Sequence, residues 1–258
     1  CALPICDTRF KVVIGYFIVF FGLSYLLLIP NLSSLTLDSL ADGLEKQFPK
    51  WPGLWEGVRY WPLSLFYVNA EAWGTLALGI TFWTFVNEIT DTKQAKRFYS
   101  FLSLGASVGL ITAGTLLKVF RAKFDVLLGV APTLMALVLV IYTVFTRDIK
   151  KNPSLYQVEQ KPKQKKTKMS FVESFKFLTK SSYLACIAIL VIAYGMVVSL
   201  FESVWKAQIG ELIQVTSDKS ISALIYGDQG IYGGIAALCL TIFLSAPIMN
   251  RGWRFAAS

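Results

Sequence analysis

A single carboxylate, Glu71, stands inside the otherwise apolar run FYVNAEAWGTLALGITFWTFVNEIT, residues Phe66–Thr90. It follows Trp61 by ten residues, which at ~1.5 Å of rise per residue places it ~15 Å into a helix. An ionised acid at the centre of a membrane span costs ~2.5–3.5 kcal/mol by insertion scales, so such a group normally faces a partner or a wet cavity. At about 100° per residue, Ser64, Tyr67, Thr75 and Leu78 fall on the side of Glu71, and Asn69 falls on the opposite side. This stripe predicts a water-accessible groove with Glu71, Tyr67 and Thr75 on its wall. A carboxylate so placed balances a cation, bonds a polar solute or exchanges a proton. The structural alternative is an acid locked to a buried cation or protonated against a neighbour.

A second carboxylate, Glu202, sits in SLFESVWKAQI, with Lys206 four residues on. Glu before Lys at this spacing is the favourable order for a helix ion pair. The pair reads equally as an interfacial salt bridge or as part of a transport site. In NEITDTKQAKRFY, Lys96 and Arg97 are candidates for phosphate contacts, for which Arg offers a bidentate fork. Charge flanking a membrane span explains them as well. There is no histidine, so proton chemistry rests on carboxylates, Lys and Tyr. No GxxxxGK[ST] loop, HExxH motif, Ser–His pairing or Cys–His cluster occurs. Neither an enzyme nor a bound cofactor or metal is expected. Cys186 and Cys239 lie inside apolar runs, where a small buried thiol is the ordinary reading.

The elements that position these residues follow from hydropathy. The chain is 258 residues long, 55% hydrophobic, with mean hydropathy +0.55. Runs of ~20 apolar residues cross a bilayer as helices, so the fold class is all-α, a polytopic membrane helical bundle. Six spans are predicted: Val12–Ile29, Trp61–Val86, Phe98–Leu117, Val126–Phe145, Tyr183–Trp205 and Ile231–Met249. The net charge of +9 does not point to nucleic acid, because Lys and Arg cluster between the spans. With the N-terminal side in the cytoplasm, 17 basic residues fall inside and 8 outside, the bias that cytoplasmic loops carry.

Between the first two spans, Leu37, Leu40, Leu44 and Phe48 recur at helical spacing opposite Asp38, Asp42 and Glu45. A short surface helix is expected there, followed by Trp51, Trp55 and Trp61 as an interfacial aromatic belt. In the third span, Gly105, Gly109 and Ala113 place small residues on one face, and Gly230 and Gly234 repeat the device near the last span. Close helix packing is expected at both; a sliding surface in a moving protein is the other reading. The stretch Thr146–Ser170 is polar and basic, and is expected to be a disordered linker drawn to anionic headgroups. The opening CALPIC fits neither a span nor a signal segment and matches a translated sequencing adapter. The first five or six residues are therefore expected to be foreign, and the chain to be part of a longer protein.

NAEAWGTLALGITFWTFVNEIT, AKRFYSFLSLGASVGLITAG, FESVWKAQI and NRGWRFAA resemble the ATP/ADP translocase family of nucleotide transporters, found in chlamydiae, rickettsiae and plastid envelopes. The resemblance implies about twelve spans in two six-helix halves, similar to the major facilitator superfamily. Residues 1–145 would then be the later part of the N-terminal half, 146–182 a basic cytoplasmic linker, and 183–258 the start of the C-terminal half. It implies an integral protein of a bacterial cell membrane or plastid envelope, with ATP and ADP as substrates and the lipid bilayer as its surroundings. Exchange of ATP for ADP is the implied activity; proton-coupled nucleotide import and a non-transporting scaffold are the alternatives. The family's transport acids map onto Glu71, in AEAWG, and Glu202, in ESVWK. Its functional lysines lie in spans outside these residues, so no transport is expected from the 258 residues alone.

Overall fold

The computed structural model describes residues 3–90, 92–151, 170–218 and 220–243. Among them there is no strand. The helices, in chain order, are α1 Leu3–Leu23, α2 Asp38–Gln47, α3 Pro52–Arg59, α4 Trp61–Trp73, α5 Trp83–Ile89, α6 Thr92–Val119, α7 Phe124–Lys151, α8 Phe171–Lys180, α9 Ser182–Thr216 and α10 Ile221–Phe243. A π-helical turn, Ser24–Leu28, extends α1, and a longer π-helical stretch, Gly74–Phe82, joins α4 to α5.

Five helical segments are long and apolar enough to cross a bilayer: Asp7–Leu28, Phe98–Val119, Asp125–Lys151, Ser182–Thr216 and Ile221–Phe243. The second expected span is helical without a break from Trp61 to Ile89, but its middle is π-helix. The expected ends of the last two spans need correction. α9 continues past Trp205 to Thr216, and α10 starts at Ile221 instead of Ile231. Polar residues such as Asp228 lower local hydropathy without interrupting helical hydrogen bonding. Residues 244–249 of the expected last span lie outside the described residues.

The chain divides into two compact units. The first comprises the described residues of Cys1–Glu159 and Gly227–Ser258, the second those of Gln160–Tyr226. In the first, α1 buries Phe10, Ile14, Phe17 and Phe21, a stripe at alternating four- and three-residue spacing that stays on one helix face. Phe10 stacks on Tyr142 of α7 with centroids 3.8 Å apart, Phe17 meets Trp73 edge-on at 5.3 Å, and Phe21 meets Phe66 at 5.3 Å. Ala77, fully enclosed, is the small residue that brings the π-helical stretch into the same cluster. At one end of this packing, Asp7 of α1 pairs with Lys11 at 2.8 Å and with Lys150 of α7 at 2.7 Å.

In the second unit α9 exposes Ile189, Leu190, Val191, Tyr194, Val197 and Leu200 on all sides, as a helix solvated by hydrocarbon does. Cys186 and Cys239 are free and exposed. The expectation of buried thiols is overturned, because apolar side chains on membrane-facing helices point outward as readily as inward. The expected linker also begins later than Thr146: α7 runs to Lys151 and buries Thr146 and Ile149. Residues 152–169 lie outside the described residues. Beyond them Ser170 accepts from the Glu173 N–H while the Glu173 carboxylate accepts from the Ser170 N–H, a reciprocal cap that starts α8.

Candidate functional site

Glu71 occupies the last turn of α4, directly before the π-helical stretch. Its register is set from the other side of the helix. Asn69 is buried, accepts a hydrogen bond from the Tyr16 hydroxyl of α1 at 2.8 Å, and returns its amide to the Leu65 carbonyl at 2.9 Å. With Asn69 turned into the packed cluster, Glu71 lies across the helix axis from it and is exposed. Tyr67, one turn before Glu71, is likewise exposed, at 52%.

The rest of the predicted stripe holds only in part. Ser64 is half-buried and donates to the Gly57 carbonyl of α3 at 2.8 Å, so it ties α4 to the preceding helix. Thr75 and Leu78 are exposed, but both lie in the π-helical stretch. A helix closed by i→i+5 bonds turns less per residue than an α-helix, so Thr75, two residues past Trp73, stays on the side of Glu71, while Leu78, five residues past it, drifts off the projected stripe. The segment carries two glycines, Gly74 and Gly79, and no residue that marks π-helix by itself.

Glu202 and Lys206 form the expected ion pair on α9, Nζ to Oε1 at 2.6 Å. Trp205 stands between them and stacks on Phe201 at 6.5 Å. Glu71 and Tyr67 belong to the first compact unit, Glu202 and Lys206 to the second. The side chains of Lys96 and Arg97 lie outside the described residues.

Two charged constellations were not recognised as such in the sequence. Arg59 is held by Asp42 at 2.7 Å, Glu56 at 3.0 Å, Asp38 at 3.5 Å and Glu45 at 3.8 Å, fastening α2 to α3. Its hydrogen bond to Asp42 holds the guanidinium above its usual range. The acidic face of α2 was visible; its partner, Arg59, 14 to 21 positions on, was counted only as loop charge. The second constellation is the pair Lys118–Asp228, which links α6 to α10.

The glycine faces also differ from expectation. A Cβ at Gly105 or Gly109 would meet nothing within 4 Å. The close approach instead uses Gly114, where a Cβ would lie 2.5 Å from the Gly227 carbonyl oxygen and 2.9 Å from the Ile231 nitrogen. Gly230 and Gly234 do pack against α6: a Cβ at Gly230 would lie 3.1 Å from the Gly114 Cα, and one at Gly234 would lie 2.9 Å from the Ser107 carbonyl oxygen. The spacing of 227, 230 and 234 was the available signal; Gly227 lay outside the expected span.

Five helices among the described residues, long and apolar enough to cross a bilayer, define an integral, multi-pass membrane protein. The chain belongs to the TLC ATP/ADP transporter family, whose profile matches residues 6–258. It is 33% identical over 262 residues to ADP,ATP carrier protein 1 of Chlamydia trachomatis, covering 95% of this chain and 49% of that protein. It is 34% identical over 262 residues to ADP,ATP carrier protein 1 of Chlamydia muridarum, with 95% and 49% covered. The corresponding protein of Rickettsia bellii is 32% identical over 263 residues, with 97% and 52% covered. The chain thus spans about half the length of the curated relatives it matches. No solved structure matches it.

Proposed function

We propose that the full-length protein exchanges ATP for ADP across a bacterial cell membrane or plastid envelope by alternating access, with about twelve spans in two halves. Family membership across the chain supports the substrate class. The observation that carries the site is the placement of Glu71: the Tyr16–Asn69 bond holds one face of α4 against α1 and leaves the carboxylate on the other face, in mid-span. Transporter sites lie near the midplane, lined by helices whose regular bonding is interrupted, and the π-helical stretch after Glu71 fits that pattern. Glu71 does not bind nucleotide phosphates, since like charges repel. It balances a cavity cation between substrates, contacts ribose or base, or takes a proton, with Tyr67 beside it. Thr75, the second residue of the π-helical stretch and exposed on the side of Glu71, is proposed beside them. Glu202 and Lys206 are proposed as a second charge pair of the transport path, in the C-terminal half. In this orientation the basic segment 152–169 faces the cytoplasm.

Uptake of labelled ATP, ADP, GTP, CTP and UTP by intact cells carrying the full-length protein tests the reading. Exchange predicts ATP and ADP uptake that depends on internal nucleotide. Uptake that proceeds equally without internal nucleotide assigns import in place of exchange, and no nucleotide uptake at all overturns the transport reading.

A further inference from the structure

We infer that the Lys118–Asp228 pair is a latch that closes one end of the transport path by holding α6 against α10; the inference rests on the alternating-access reading above. α6 precedes the basic linker and α10 follows it, so the pair joins residues 110 positions apart, from the two sides of the linker. The surface between them is backbone on backbone. Gly114 faces Gly227 and Gly230, and Gly234 faces Ser107 and Ile111. Such a seam has almost no side-chain knobs to disengage, so it separates and re-forms without repacking a core.

The charges sit at one end of this seam only. Lys118 is in the last turn of α6, beside the turn into α7, while deeper contacts are made by Ile111 and the Ser107 backbone. Gly227 makes the pairing geometrically possible. A Cβ there would lie 2.3 Å from Lys118 Cγ, so only glycine lets the lysine stem lie along α10 and reach Asp228. The pair is also weak enough to part. The side chains are 34% and 42% exposed, so water takes over both charges when the helices separate, and half-exposed pairs hold only modestly. A second interhelical lysine–carboxylate contact among the described residues, Asp7 with Lys150, differs in both respects. Asp7 is only 9% exposed, and both of its partners lie before the linker. That contact is a static tie within one group of spans.

The test uses the full-length protein with its native cysteines, including Cys186 and Cys239, replaced and with Ser107→Cys introduced. Ser107 is buried at the seam, so a charged, water-soluble thiol reagent reaches it only when α6 and α10 part. Labelling is measured without nucleotide. Lys118→Met and Asp228→Asn are each expected to raise the labelling rate roughly three- to five-fold, the scale of a partly exposed ion pair. The charge-reversed pair Lys118→Asp with Asp228→Lys is expected to return it to within about two-fold of the parent. Single variants that label at the parental rate overturn the latch, as does a reversed pair that labels as fast as the singles. As a second measurement, Lys118→Cys with Asp228→Cys is bridged by a reducible bifunctional thiol reagent. Bridging is expected to suppress both Ser107→Cys labelling and nucleotide uptake, with recovery on reduction. Failure to bridge removes the contact on which the latch depends, and bridged protein that labels at the parental rate overturns the latch. A wild-type protein that takes up no nucleotide overturns the proposed exchange instead, and the latch is then decided by labelling alone.

Discussion

The Tyr16 hydroxyl donates to Asn69 Oδ1 at 2.8 Å across α1 and α4, and that bond fixes which way Glu71 faces. Asn69 and Glu71 are two residues apart, about 200° around an α-helix. Burying one turns the other out of the α1–α7 cluster. Tyr16→Phe removes the donor and leaves Asn69 with its own-helix bond to Leu65. Interhelical hydrogen bonds in membranes average ~0.6 kcal/mol. A double-mutant cycle of Tyr16→Phe and Asn69→Leu, read by thermal unfolding in detergent, is expected to give a coupling of about that size. A coupling indistinguishable from zero would remove the bond as the cause of the register.

Glu71 itself is tested by charge. Glu71→Gln keeps shape and hydrogen bonding, and in the full-length protein it is expected to cut transport per inserted molecule by about ten-fold or more, equivalent to ~1.4 kcal/mol. Glu71→Asp is expected to retain more, because the charge stays and only its reach shortens. Thr81→Val is the control; the Thr81 hydroxyl bonds the Leu76 carbonyl of its own helix. If Glu71→Gln lowers the amount of inserted protein while each remaining molecule transports normally, the acid is structural.

Glycine substitutions separate the helix faces of α6. Gly114→Ala introduces a Cβ 2.5 Å from a backbone oxygen of Gly227, which no rotamer change relieves. Overpacking of this kind costs ~1–3 kcal/mol. Gly105→Ala and Gly109→Ala meet open space and are expected to leave thermal stability unchanged or slightly raised, since alanine favours helix over glycine. Equal losses at all three positions would mean that the α6–α10 seam is misplaced.

Arg59→Gln is expected to speed proteolysis of the α2–α3 connection by releasing four carboxylates from one cation. The sign with pH follows from the guanidinium, whose value in the folded chain is raised by Asp42. A raised folded value means that its contribution is fully present below the unperturbed value and is lost only as pH rises through the folded one. Between roughly pH 6 and 9 the wild-type cleavage rate should therefore not change on this account, because an arginine stays protonated throughout that range. Added salt, by contrast, should speed cleavage of the wild type more than of Arg59→Gln, because the paired charges are screened. Identical salt responses would count against the cluster.

Much of this architecture was legible locally. Hydropathy predicted six spans, and five of them overlap helices long and apolar enough to cross a bilayer among the described residues, because length and composition alone decide whether a helix matches the hydrocarbon core. Helical phase put Asn69 opposite Glu71, and the tertiary contact with Tyr16 agrees. The Glu202–Lys206 pair and the α2 helix were visible for the same reason: their partners lie within two turns of one another. Phase failed where the helix changed type. Nothing in GTLALGITF distinguishes i→i+4 from i→i+5 closure, so Leu78 was placed under Glu71 on a regular helix that stops at Trp73.

The amino-acid sequence by itself determined that the chain forms long apolar helices, and that a carboxylate, Glu71, stands inside one apolar run. Tertiary structure alone decided which side of each helix is inside. In a water-soluble bundle, polarity marks the outer face; in these helices apolar residues occupy both, so periodicity carries little facial information. Gly105 and Gly109 matched the small-residue spacing as well as Gly114 did, and only the approach of Gly227 and Gly230 separates them. Arg59 with Asp42, Asp7 with Lys150, and Lys118 with Asp228 are likewise invisible to any local window. Each joins charges 17 to 143 positions apart, and such pairs exist only where packed helices bring the two ends together.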